Sequence, residues 1–128
     1  IDINTENSVI DIKNIKAENL KAVTVNGRIM VENAQNYENA SEIHMFLKTS
    51  NGGIKVNMND MGRKGYKIKG DTTNGHINLL IPELVYHNAN AQGAGRSFIE
   101  AESIGYANFS EKVNILAETT NGDITVVK

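Results

Sequence analysis

The chain of 128 residues is 40% apolar and carries a formal charge of −2, which fits one globular domain able to bury roughly two-thirds of its unfolded surface without a disulfide or a metal. This charge balance excludes the strongly basic surface of a polyanion binder, so no nucleic-acid partner is expected. The absence of Cys excludes a disulfide framework, a thiolate metal site and a Cys nucleophile.

No apolar run is long enough to span a membrane. With neither Met nor a signal segment at Ile1, the chain is read as part of something longer, and membrane association is expected only through segments outside it. Asparagine and glycine are in excess, at 18 and 11 residues against one Pro and no Trp. Turn formers at that density, with β-branched residues between them, read as short strands joined at tight corners.

In chain order the first element is a unit beginning at residue 1: Ile1, Ile3 and Thr5, then Asn7-Ser8, then Ile10 and Ile12. The pattern returns at residue 20 as Leu20, Ala22, Thr24, Asn26-Gly27, Ile29 and Val31. The polar segment 33–41 is the best helical candidate in the chain, but it lacks a sustained i, i+3, i+4, i+7 pattern and is read as a loop. A third unit starts at 45 with Met45, Leu47, Thr49, Asn51-Gly52, Ile54 and Val56. The basic run Arg63-Lys64-Gly65-Tyr66-Lys67-Ile68-Lys69 leads into a fourth at 68: Ile68, Gly70, Thr72, Asn74-Gly75, Ile77 and Leu79. The last begins at 115 with Ile115, Ala117, Thr119, Asn121-Gly122, Ile124 and Val126. Spacings are 19, 25, 23 and 47 residues, so a degenerate coil is expected within 80–114, keeping only a first half at Ile99, Ala101 and Ser103.

On each side of the Asn the apolar positions alternate with period two, which means two half-buried strands meeting at a corner. The corner is expected to use the positive φ values that Gly and Asn tolerate. A meander of hairpins would also place Asn-Gly between alternating strands. A hairpin gives no reason, however, for a fixed Thr two residues before the Asn. In a stack of coils about 4.8 Å apart, equivalent Thr and Asn side chains are expected to hydrogen-bond to their copies above and below. The reading is therefore all-β: one single-stranded β-solenoid domain over 1–128, β-helix or β-roll-like, with five to six coils of 19–25 residues. Its core is expected to stack Ile29, Ile54 and Ile77 in one column.

The motif Thr-x-Asn-Gly-x-Ile-x-Val is fullest at 119–126 and 49–56. It resembles a bacterial adhesin-like domain family of unknown function, built as β-solenoids and frequent in Gram-positive bacteria. The resemblance covers nearly the whole chain and departs from the family at Ser8 and in 80–114. It implies a non-enzymatic binding or structural domain at the cell surface or envelope, with no cofactor, and leaves a cytoplasmic location open. Two alternatives stand beside it: a carbohydrate-active enzyme on a parallel β-helix, and a scaffold that self-assembles through the ends of its solenoid.

Catalytic and metal chemistry finds little footing. His44, His76 and His87 show no metal-ligand spacing, and His76 follows an Asn-Gly pair as a solvated corner residue. Gly93-Ala94-Gly95-Arg96-Ser97 lacks the Lys of a phosphate loop and is read as a surface loop. Glu100, Glu102 and Glu111 form the nearest approach to a carboxylate cluster, without a partner at a repeated offset. Lys67 and Lys69 alternate with Ile68 on a solvated face.

The candidate ligand site follows from the register. The outward position between the two inward ones reads Asp2, Lys21, Phe46, Lys69, Leu116 in chain order. Phe46 stacked between Lys21 and Lys69, with Lys48 on the same coil, would offer an apolar platform beside cations. That suits a cell-surface glycan, another acidic polymer or a protein.

Overall fold

The computed structural model describes residues 1–38, 40–59, 64–89 and 97–128. Among them are twelve strands: β1 (Asp2–Asn4), β2 (Ile10–Ala17), β3 (Asn19–Val23), β4 (Ile29–Asn36), β5 (Glu42–Lys48), β6 (Ile54–Asn57), β7 (Gly65–Asn74), β8 (Ile77–Leu80), β9 (Leu84–Ala89), β10 (Ser97–Ser103), β11 (Lys112–Asn121) and β12 (Ile124–Val127). A single 3-10 turn spans Tyr106–Asn108, and the described residues contain no α-helix.

Each of the five repeats contributes its first half to one sheet and its second half to another. The first sheet has seven strands in the order β1-β3-β5-β11-β7-β10-β9; the second has five, β2-β4-β6-β12-β8. Pairing between repeats is parallel throughout, and only β10 pairs antiparallel, with β7 and with β9. A meander of hairpins is thereby excluded, because consecutive halves of a repeat lie in different sheets. The seven-stranded sheet is mixed, and neither sheet closes on itself.

Alternation places the core as expected. In the five-stranded sheet Ile10, Ile29, Ile54, Ile124 and Ile77 stand in register as one inward row, with Ile12, Val31, Val56, Val126 and Leu79 as a second. The facing sheet supplies Leu20, Met45, Ile115 and Ile68, and nearer the corner Ala22, Leu47, Ala117 and Gly70. Nearly all of these are buried. At Gly70 the facing sheet leaves little room for a side chain. A β-carbon at Gly70 would stand 3.2 Å from Ile77 Cδ1.

The stacking order is not the chain order. The C-terminal repeat lies between the third and the fourth, with β11 between β5 and β7 and β12 between β6 and β8. Nor do the described residues 84–89 and 97–103 form a degenerate coil. They are the antiparallel pair β9 and β10, and β10 runs along the edge of β7, so Ile99 and Ala101 oppose Gly70 and Ile68. The polar segment after residue 33 is strand as far as Asn36, because 15–17 and 34–36 continue the pairing of β2 with β4. Gly93 to Arg96 of the loop reading, and Arg63 of the basic run, lie outside the described residues.

Two expectations about the corners need correction. The corner glycines do not depend on left-handed backbone: only Gly52 has a positive φ, at 157°, on the border of the extended range. The threonines also do not bond to one another. Thr24, Thr49, Thr119 and Thr72 each donate to a backbone carbonyl of the preceding level, at Ser8, Gly27, Gly52 and Gly122, over 3.2, 2.7, 2.8 and 2.8 Å. A hydroxyl is too short to bridge a repeat of about 4.8 Å to its own copy. An amide has donor and acceptor at opposite edges and can. The chain Asn7-Asn26-Asn51-Asn121-Asn74 is linked throughout by Nδ2 to Oδ1 bonds of 2.8 Å.

Candidate functional site

The outward rows of the seven-stranded sheet carry the expected binding residues. Register places Lys21 beside Phe46, Phe46 beside Leu116, and Leu116 beside Lys69. The insertion of the C-terminal repeat therefore separates Phe46 from Lys69, and the aromatic is not stacked between two lysines. What the sheet assembles is an apolar pair, Phe46 and Leu116, both half-buried, bracketed by exposed Lys21 and Lys69. Three strand spacings set those lysines about 14 Å apart at their backbones.

Carboxylates interrupt the cationic character of this face. Glu100 on β10 stands opposite Lys69, and Glu102 opposite Lys67, so the basic run is matched by an acidic strand beside it. Lys69 Nζ also lies 5.9 Å from the centre of the Phe98 ring. In the next outward row Lys48 neighbours Glu118, with Nζ 4.0 Å from its Oε2, and Glu118 neighbours Asp71. Toward the corner, these three edge a shallow depression with Ser50, Thr73 and Thr120. Ammonium, carboxylate and hydroxyl groups thus adjoin the apolar pair. That mixture can satisfy a polyhydroxylated ligand in both donor and acceptor directions.

At the other end of the same face the 3-10 turn is pinned down. The Tyr106 hydroxyl donates to Glu42 Oε1 over 3.0 Å, and Lys67 and Lys112 each hold Nζ 5.7 Å from its ring centre. Burial, then the hydrogen bond and charge of Glu42, then the charge of Glu102 push its phenol up to about 12. Tyr106 therefore stays protonated and serves as a donor and a cation platform rather than as a base. Sequence reasoning missed this residue because Glu42 and Lys67 come from strands distant in the chain, and only Lys112 is a near neighbour in sequence.

The histidines do not gather. His87 Nε2 is 3.0 Å from Glu102, His44 Nε2 is 3.7 Å from Glu42, and His76 sits exposed at a corner, its backbone N–H donating to Asp123 over 2.8 Å. Among the described residues no group of three or more His, Asp or Glu could hold a metal ion. No family model, curated protein or solved structure matches this chain.

Proposed function

We propose that the five repeats are coils of a single-stranded β-solenoid of the adhesin-like kind, and that the domain is a non-enzymatic binding and display module of a cell surface or envelope. The in-register ladders of Asn, Thr and Ile support the solenoid reading, since each level repeats the contacts of the one before it. A scaffold of this kind holds its outward side chains in rows at fixed spacing, at little further entropic cost on binding.

The observation that carries the binding reading is the row Lys21, Phe46, Leu116, Lys69. An aromatic and a Leu side by side give a flat apolar platform for the faces of sugar rings. The bracketing lysines fit anionic groups about 14 Å apart, and Lys48, Glu118 and the corner hydroxyls offer polar contacts along one edge. The ligand class is a cell-surface glycan with spaced anionic groups.

The test is titration of the domain with teichoic acid and with acidic and neutral glycans at low and moderate salt. Binding to the anionic polymers is expected to weaken as salt rises. Phe46→Ala is expected to weaken it about tenfold, the loss of one stacked aromatic contact of roughly 1.4 kcal/mol. Unchanged binding by Phe46→Ala would remove this face from consideration.

A further inference from the structure

The last repeat in the chain occupies the interior of the stack. We infer that the space between the third and fourth repeats is a slot for one strand–corner–strand unit, and that the C-terminal repeat of one copy can fill the slot of a second copy, linking chains by exchange.

Both faces of the slot are built to hold this unit. β11 bonds to β5 on one side and β7 on the other, and β12 to β6 and β8. At the corner, Thr119 Oγ1 donates to the Gly52 carbonyl and Thr72 Oγ1 to the Gly122 carbonyl, each over 2.8 Å. Asn121 gives one amide bond to Asn51 and receives one from Asn74. Ile124 is fully buried between Ile54 and Ile77, as is Ile115 between Met45 and Ile68. The slot also selects its occupant: a β-carbon at Gly122 would run into the Gly52 carbonyl, so only glycine fits there. A repeat of this chain's own pattern meets all these demands, and the C-terminal repeat meets them here, which makes a second copy the fitting partner.

The tether permits the exchange. β10 and β11 flank β7, about two strand spacings or 10 Å apart, and their joined ends lie at the same end of β7. The connecting residues 104–111 could reach roughly 30 Å if extended. Their slack is taken up at Gly105, with φ 69°, and in the 3-10 turn. Only this linker differs between an internal and an exchanged arrangement, since the donated repeat makes the same contacts in either slot. Tyr106 on Glu42 holds the internal form.

A competing arrangement exists, because Thr72, Asn74 and Gly75 carry the same groups as Thr119, Asn121 and Gly122. The fourth repeat could therefore stack directly on the third and shut the slot.

The test uses the full chain with its own repeat disabled by Gly122→Val, refolded from urea with a fluorescent peptide of residues 110–128. The peptide is expected to be retained one to one and to raise the thermal midpoint of the variant toward that of the unmodified chain. A peptide that itself carries Gly122→Val is expected to do neither. Equal retention of both peptides, or of none, overturns the slot. For exchange between copies, the full chain is shortened by deleting 105–111, leaving a tether of about 7 Å that cannot cross β7. A dimer with the strand signal of the unmodified chain is expected. A folded monomer, or loss of that signal, overturns the exchange.

Discussion

Glycine stands at four of the five corners because stacked backbones approach too closely there for a side chain. A β-carbon at Gly27, Gly52, Gly122 or Gly75 would run into the carbonyl oxygen of the level before it, at Ser8, Gly27, Gly52 and Gly122 respectively. The fifth corner carries Ser8 in the edge repeat, where none of the described residues stacks on its outer side. Gly122→Ala is thus expected to destabilise the fold by roughly 3 kcal/mol through overpacking. Ser8→Ala should stay within about 0.5 kcal/mol, and urea midpoints of the two variants check the contrast. The same corners govern chemical ageing. Asn-Gly deamidates when the following amide nitrogen attacks the side-chain carbonyl, yet Gly27, Gly52 and Gly122 donate that N–H to Asn51, Asn121 and Asn74 over 3.0 to 3.1 Å. Their Asn side chains are held in the ladder as well. Deamidation at Asn26, Asn51 and Asn121, followed by peptide mass spectrometry, is expected to be slow in buffer and to accelerate in urea.

Among the elements, β9 and β10 do what a further repeat would otherwise do: they cover the edge of β7 and extend the seven-stranded sheet with charge-matched outward residues. Glu100 and Glu102 opposite Lys69 and Lys67 place opposite charges across an antiparallel pair, each such pair contributing a few tenths of a kcal/mol. The 3-10 turn that follows is fastened by Tyr106, and that fastening depends on pH. Its phenol is raised from 10.0 to about 12 in the folded chain, so the folded state retains the proton more strongly than the unfolded one. The corresponding stability is fully present below pH 10 and is lost as pH climbs from 10 toward 12. Tyrosinate absorbance should show a component titrating near pH 12 that is absent from Tyr106→Phe. Stability of that variant should fall less steeply over the same range.

For the whole molecule, the interior position of the C-terminal repeat sets where stability concentrates. β11 and its neighbours β5 and β7 are bonded on both edges, whereas β1, β2, β8 and β9 end their sheets. Amide exchange measured by mass spectrometry is expected to be slowest in β5 and β11 and fastest in β1 and β9. An exchange pattern in which β11 opened early would contradict the stacking order.

Much of this was legible in the sequence. A stack in which each level repeats its neighbour needs the same residues at the same offsets, so the Thr, Asn, Gly and Ile positions announced the strands, the corners and the inward rows directly. Parity likewise marked Lys21, Phe46, Lys48 and Lys69 as outward. The order of the levels was not legible, because the four repeats with a corner glycine present the same ladder groups on both faces, and any order of those four satisfies them equally. Loop closure barely discriminates either, since its cost grows slowly with length and long connections precede both the fourth and the fifth repeats. Only the tertiary structure set Leu116 rather than Lys69 beside Phe46, brought Glu42, Lys67 and Lys112 around Tyr106, and gave the edge of β7 to an antiparallel strand. Apart from Lys112, those neighbours come from segments far apart in the chain, and their meeting depends on which equivalent face each repeat occupies.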